Sequence, residues 1–470
     1  MNRDSAQVVV RPSAARTAAP DWRALLQQAM QAHQADDLDT AERLYREVLD
    51  LRVAQPDALH YLGVLCHQCG RSDEGVELIR TALQVTPKHP DAHNNLGNIH
   101  KECGRLREAE ACYRKALECG PQHHNALSNL AVVLEAQERP QEAFEAYEQL
   151  LRQAPRYAQG HYLLGLFLRN HAQNLEHIEQ SVARFREAYA LEPRFVQVLE
   201  ALSVSLYVLG RTDEAVQVYR DWVAREPDNP IPRHMLAACG GADAPVRAGD
   251  AYVRDIFDRF ADSFDEQLLH NLDYRAPQVL AEVLGTALPA PAAALDVLDA
   301  GCGTGLCAPL LRPHARRLVG VDLSGGMVER ARQRGGYDAL DVAELTAYLQ
   351  ERPGAWDVVL SADTLVYFGE LGTVLAAAHA ALRPGGWLAF SLEAEEGEGD
   401  RATLTASGRY RHSRAHVLRA LERAGFHDIR ISEDSLRKEF GQPVRSWVVL
   451  ARRSDDAGAA TGAVRDLNRL

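Results

Sequence analysis

Gly63, Gly97, Ala131 and Gly165 fall 34 residues apart, and so do Gly75, Ala109 and Ala143. Ile79, Tyr113 and Tyr147 keep the same interval, and Pro87, Pro121 and Pro155 close successive units. A fixed period constrains the fold more than composition does. Each unit is one helix pair, too small to bury its apolar face alone, so neighbours must stack. Small residues mark the places where two helices cross closely, and the proline stops the second helix. A less regular unit runs from Trp22 to Pro56. A fifth, Tyr157 to Pro193, has four extra residues between its helices, and a sixth ends at Pro227.

The pattern resembles the tetratricopeptide repeat, recurring about six times over residues 22–228. The resemblance implies an α-solenoid, a right-handed superhelix whose concave surface takes a peptide or protein partner. Asn95 and Asn129 occupy the same repeat position, and a stacked asparagine pair donates to and accepts from a peptide backbone. These repeats are similar to those of the O-linked N-acetylglucosamine transferases, where such asparagines form a ladder. Here the ladder has two rungs, since Leu163 follows. The alternative is that both asparagines merely cap or solvate a helix face. The CxxC at Cys66 to Cys69 is read as repeat packing, because Cys69-Gly70 recurs as Cys103-Gly104 and no second CxxC follows. No metal site is expected.

A formal charge of −13 argues against a nucleic-acid sheath. Eight cysteines in 470 residues suit a reducing compartment. The sequence has no apolar run of the ~20 residues a membrane span needs, so a cytoplasmic protein is expected. Residues 1–21 and 453–470 are expected to be disordered tails. Prolines and glycines in 229–250 suggest a linker or irregular bridge.

Beyond the linker, residues 251–290 are helical in pattern, and from Leu295 strands alternate with helices. That alternation predicts a mostly parallel sheet with helices on both faces, where ligands bind at the strand carboxyl ends. "VLDAGCGTG" ends the first strand and "VGVDLS" contains the end of the second. The glycines are spaced GxGxG rather than the GxGxxG of a dinucleotide fold. Both strings together resemble motif I and its following acid in the class I S-adenosylmethionine-dependent methyltransferases. The resemblance covers residues 251–452 and implies a Rossmann-like domain with a seven-stranded sheet. It implies that 251–290 form a helical lid, as in methyltransferases of the quinone, biotin-precursor and trans-aconitate type. Joined to the repeats, the whole is similar to a bacterial group of repeat-containing methyltransferases.

For the cofactor S-adenosylmethionine, the resemblance implies a site built from Asp299, Ala300, Gly301, Cys302, Gly303, Gly305, Asp322, Leu323, Glu344, Asp363 and Tyr274. The glycines are expected to run beneath the methionine part, where a Cβ would collide. Asp299 is expected to order the loop amides or reach the cofactor amine, Asp322 to take the ribose hydroxyls and Glu344, with Asp341 in reserve, the adenine amine. Candidates for catalysis near the sheet's carboxyl edge are Asp363, Tyr367, Tyr410 and His412, with Arg409 or Arg411 holding a carboxylate. Helix capping is the competing reading for His412 and Ser413, and His416 is read as a helix residue. The acidic run Glu393 to Asp400 is expected to be a solvated loop. The acceptor stays open between a small molecule and a protein side chain. The competing function is an interaction scaffold whose second domain senses the cofactor or is inert.

Overall fold

The first four helix pairs each start on a side-chain cap, from Asp21, Gln55, His89 and His123. Pro56, Pro90 and Pro140 sit in the first turns of their helices, where the missing N–H costs nothing. His89 and His123, 34 residues apart, cap their helices through Nδ1, which accepts from Ala92 and Ala126 N–H. The pairs are α1–α2 (Trp22–Gln34, Leu38–Leu51), α3–α4 (Pro56–Gln68, Ser72–Val85) and α5–α6 (Pro90–Glu102, Leu106–Cys119). They continue as α7–α8 (His124–Ala136, Pro140–Gln153), α9–α10 (Ala158–Asn170, Leu175–Leu191) and α11–α12 (Gln197–Val208, Thr212–Arg225). The computed structural model describes residues 21–454 apart from 262, 263, 267, 269–271, 398 and 440. It divides into two compact units between Val198 and Leu199, so the sixth pair falls with the second unit.

Within a pair the close crossing is real. A Cβ on Gly75 would lie 2.5 Å from the carbonyl oxygen of Gly63, and one on Gly97 2.6 Å from the Tyr113 ring. Backbone cannot give way as a side-chain end can. Gly75→Ala is therefore expected to destabilise the first unit by about 2–3 kcal/mol, read as a lower urea midpoint. An unchanged midpoint would show that the helices separate at little cost.

Polar side chains stitch one repeat to the next. Arg71 pairs with Glu42 and Glu74, and Arg139 repeats this with Glu110 and Glu142. Asn129 gives both amide hydrogens to its neighbours, to Asn94 Oδ1 and Asn98 Oδ1 at 3.0 Å each. Asn95 Nδ2 meets His60 Nε2 at 2.9 Å. An amide nitrogen only donates, so that imidazole nitrogen accepts, and burial pushes the His60 pKa down to about 4. The expected free asparagine pair is thus corrected: Asn129 has no amide hydrogen left for a peptide, because the preceding repeat presents two asparagine oxygens to it. Cys66 packs in the core beside Leu62 and Tyr45, and Cys69 ends α3.

Residues 230–238, read from sequence as part of a bridge, form a helix, α13 (Pro230–Ala238), because Asn229 caps it and Pro230 opens it. The remainder of that bridge is bonded into the second unit. Ala248 N–H donates to Tyr367 O, Glu370 N–H to Val246 O, and the Tyr410 hydroxyl to Pro245 O. Then follow α14 (Asp250–Phe260), α15 (Phe264–Glu266) and α16 (Ala276–Gly285). The expected tails lie outside the described residues save Asp21, which caps α1, and Arg453 and Ser454; Arg453 closes the last strand. Among the described residues no helix is long and apolar enough to cross a membrane.

The sheet begins at β1 (Leu295–Ala300), with α17 (Ala308–Leu311), β2 (Ala315–Asp322), α18 (Gly325–Arg334), β3 (Ala339–Val342) and α19 (Leu345–Gln350). It goes on through β4 (Trp356–Ser361), a 3-10 turn (Leu365–Tyr367), α20 (Gly372–Ala381) and β5 (Leu382–Glu395). Last come β6 (Thr403–Leu404), β7 (Tyr410–Ser413), α21 (Arg414–Arg423), β8 (Phe426–Glu439) and β9 (Gln442–Arg453). Neighbours run β3-β2-β1-β4-β5 in parallel, and β9 then β8 close that edge antiparallel. Those are the seven strands expected; β6 and β7 add two more. Glu393 pairs with Arg411 of β7 and with Ser446 of β9, so these two strands lie on opposite edges of β5. β4 stops at its Ser361–Phe390 pairing, and β7 takes up the edge beyond it. This extension brings β7 to the carboxyl end of the sheet.

Candidate functional site

The loop after β1 turns over three glycines in the left-handed region, with φ of 82°, 52° and 88° at Gly301, Gly303 and Gly305. Its position is set by β2: the N–H groups of Gly301 and Cys302 donate to Val321 O. Gly303 N–H donates to Asp322 Oδ2 at 2.9 Å, and Ser324 N–H to Asp322 Oδ1 at 2.9 Å. Asp322 therefore does the ordering expected of Asp299. Burial pushes the Asp322 pKa up, while amide hydrogens from Ser324, Gly303 and Leu323 oppose it. A Cβ on Gly301 would lie 2.0 Å from Thr364 Oγ1, whereas nothing stands within 4 Å of one on Gly303. The expected collision with a ligand is thus, at Gly301, a collision with the protein's own Thr364.

A cavity opens above this loop. Of the residues expected from sequence, Gly301, Cys302, Gly303, Asp322, Leu323, Glu344, Asp363, Tyr367, Tyr274 and Arg409 line it. Ala300 and Gly305 support it from outside the wall: the Ala300 carbonyl accepts from Ser361 Oγ, and Gly305 packs by the Tyr337 ring. Glu344 caps α19 through Oε2, which accepts from Ala347 N–H, and its Oε1 is buried with no partner. Asp341, the reserve, is off the wall and accepts from the Tyr348 hydroxyl at 2.7 Å. α14 and α15 close over the loop on two carboxylates. Asp258 accepts from Ser324 Oγ and from Gly326 N–H; Asp265 accepts from Thr304 Oγ1 and Arg334.

Asp299 is fully buried and off the wall. Its Oδ2 accepts from the Tyr337 hydroxyl at 2.6 Å and its Oδ1 has no partner. Burial pushes its pKa from an ordinary 3.8 up to about 7. Between those values the folded chain keeps a proton that the unfolded chain has lost, so stability falls as pH rises through the window. Asp299→Asn cannot titrate and keeps an oxygen for Tyr337. Urea unfolding from pH 4 to 7 is expected to show the native protein losing a few kcal/mol relative to this variant. Parallel profiles would refute the burial argument.

Sequence reasoning missed Arg437, Arg247 and the buried role of Glu393. Asp363 sits at a φ of 52°, in the left-handed region that few L-residues occupy, Asp and Asn more readily than most. Three hydrogen bonds hold it: its N–H donates to Ser391 Oγ, which donates back to Oδ1, and Arg437 donates to Oδ2 at 2.8 Å. Arg437 is 3% exposed and also pairs with Glu393, 2% exposed, and with Glu439. Arg409 joins the same cluster through Glu439. Glu393 thus corrects the solvated-loop expectation at the start of the acidic run, because it belongs to the sheet centre. Burial disfavours the charge on Glu439, but Arg409 and Arg437 outweigh it and hold its carboxyl below the ordinary range.

Tyr410 and His412 are not on the cavity wall, which corrects their expected catalytic role. Alternate residues of a strand face opposite sides. Arg409, just ahead of β7, faces the cavity, while Tyr410 and His412 point the other way into the core. His412 Nδ1 lies 3.3 Å from His416 Nδ1, and burial pushes the His412 pKa down to about 3. Ser413 Oγ accepts from His416 N–H and caps α21, as the capping reading has it. Arg411 is half exposed and off the wall.

A family described as "Methyltransferase domain" matches residues 298–390. The chain carries a methyltransferase domain. Two tetratricopeptide-repeat families match residues 54–122 with 90–156, and 168–230, so the repeats precede that domain. The chain is similar to Methyltransferase-like protein 27 of Homo sapiens, 41% identical over 106 residues, 22% of this chain and 43% of that one. Ubiquinone biosynthesis O-methyltransferase of Bordetella pertussis is 34% identical over 102 residues, 20% of this chain and 41% of that one. Malonyl-[acyl-carrier protein] O-methyltransferase of Acetivibrio thermocellus is 36% identical over 99 residues, 21% and 35%. The aligned stretch is thus under half the length of each relative. The solved structure of Pseudomonas aeruginosa pilF covers 44% of this chain and 92% of that one, at 18% identity and a TM-score of 0.39.

Proposed function

We propose that the second unit transfers a methyl group from S-adenosylmethionine to an acceptor oxygen, and that the repeats engage a peptide or protein partner. The observation that carries the reading is Asp322. It sits at the carboxyl end of β2 and on the cavity wall, with Gly303 N–H donating to Oδ2 and Ser324 N–H to Oδ1. With the Leu323 amide also directed at it, the carboxylate keeps acceptor capacity for a hydroxyl of the cofactor's ribose. The unpartnered Glu344 Oε1 fits an adenine amine, and the open side of Gly303 admits a close approach to the backbone. An oxygen acceptor is favoured by the relatives named O-methyltransferases.

S-adenosylmethionine, when bound, supplies a methyl already made electrophilic by its sulfonium. The chain's own task is then alignment and exclusion of water, and a well-oriented pair gains roughly 7–11 kcal/mol. Phe257 stands edge-on to both Phe264 and Tyr367 at 5.8 and 5.6 Å, and these rings wall the cavity beside the lid helix. Asp258 and Asp265 hold that helical segment against the loop. Calorimetry with S-adenosylmethionine tests the binding, and labelled methyl transfer into fractionated lysate tests the transfer. Affinity without transfer into any fraction would leave a cofactor-sensing scaffold instead.

A further inference from the structure

Resting on that reading of the cavity, we infer that its acceptor is uncharged: a hydroxyl on an apolar body, not a carboxylate. The wall beyond the glycine loop is largely hydrocarbon, from Val253, Phe257, Phe264, Leu268, Leu272 and Phe368. Three arginines reach it, which at first sight invites an anion. Each is already matched. Arg247 Nη1 lies 2.5 Å from Asp250 Oδ1. Arg409 pairs with Glu439, and Glu393 stands 3.5 Å away. Arg437 is shared among Asp363, Glu393 and Glu439.

Among the described residues, these three cations face four carboxylates: Asp250, Asp363, Glu393 and Glu439. Arg411, on the outer side of Glu393 at 3.5 Å, evens the count. Arg247 is shared further, since its charge also acts on Glu344, and among the described residues Asp322 stands on the same wall without an ion pair. A carboxylate acceptor would lose its hydration and find no spare positive charge, which is the costly way to bury an ion. A hydroxyl asks only for a hydrogen-bond partner, and Tyr367 and Arg409 stand together on the wall to offer one. In the transfer, a lone pair of the hydroxyl oxygen forms the new C–O bond. The C–S bond breaks with its electron pair left on sulfur, and the hydroxyl proton leaves to water.

The test uses two ligands of one skeleton, 3-phenylpropan-1-ol and 3-phenylpropionate, titrated by calorimetry into the full chain with and without S-adenosylhomocysteine. The alcohol is expected to bind about tenfold or more tighter than the acid in either condition. Asp250→Asn, at a half-exposed position that tolerates exchange, frees Arg247 and is expected to raise affinity for the acid about fivefold while leaving the alcohol unchanged. Glu439→Gln frees Arg409 and is likewise expected to raise affinity for the acid. The inference is overturned if the acid binds as tightly as the alcohol, if neither binds below about 10 mM, or if both variants leave the preference as it was. Failure of S-adenosylhomocysteine itself to bind would instead count against the methyltransferase reading, and the ligand preference is still read from the cofactor-free titration.

Discussion

Asp322→Ala is expected to lower affinity for S-adenosylmethionine about a hundredfold or more. The substitution removes the carboxylate proposed to take the ribose hydroxyls, and it also frees the loop. Gly303 and Ser324 each lose a hydrogen bond to a charged acceptor, worth about 1.5–3 kcal/mol apiece. A tenfold loss of affinity corresponds to about 1.4 kcal/mol, so losing the hydroxyl contacts and the loop's order together exceeds two such steps. Calorimetry at matched folded fraction separates binding from stability, and urea unfolding reads the latter. Undiminished affinity in the alanine variant would end the proposed role of this cavity.

The two loop glycines are expected to respond oppositely. Gly301→Ala places a methyl 2.0 Å from Thr364 Oγ1 and 2.7 Å from its Cβ, at a φ of 82°. Overpacking costs about 1–3 kcal/mol and the left-handed backbone about 1–2 more. Against a total stability of roughly 5–15 kcal/mol, this variant loses a large part of its fold. Gly303→Ala meets nothing within 4 Å, and its φ of 52° lies in the small left-handed region that L-residues enter. Its stability is expected to fall by only about 1 kcal/mol, while cofactor affinity drops because the methyl occupies space on a loop that lines the cavity. Thermal melts with and without S-adenosylhomocysteine distinguish the two. Equal melting losses would mean that Gly303 serves the turn alone, not a ligand.

Much of the site was legible because its parts are close in sequence. Asp322 follows the glycine loop by one helix and one strand, and Glu344 opens the next helix but one. Position at a strand's carboxyl end then suffices for Asp322, while Glu344 is placed by the family resemblance. Arg437 could not be found this way: it lies 74 residues from Asp363 and 44 from Glu393. Its signal in the sequence is one arginine among charged neighbours in "DSLRKEF". The choice of Tyr410 and His412 over Arg409 failed for a related reason. A strand's alternation says that two sets of side chains part, and only the neighbouring strands say which set meets the cavity.

The amino-acid sequence by itself determined the stacked helix pairs, the parallel strands and the glycine turn after the first of them. Each follows from interactions within a few turns or one strand crossing, where periodicity and residue type leave a single packing. Tertiary structure alone decided the charge of the cavity wall. Glu393, Arg409, Arg437 and Glu439 meet because β7 and β8 reach the cavity from different sides of the sheet. Whether a buried arginine is free to bind an anion depends on which carboxylates the chain has folded against it.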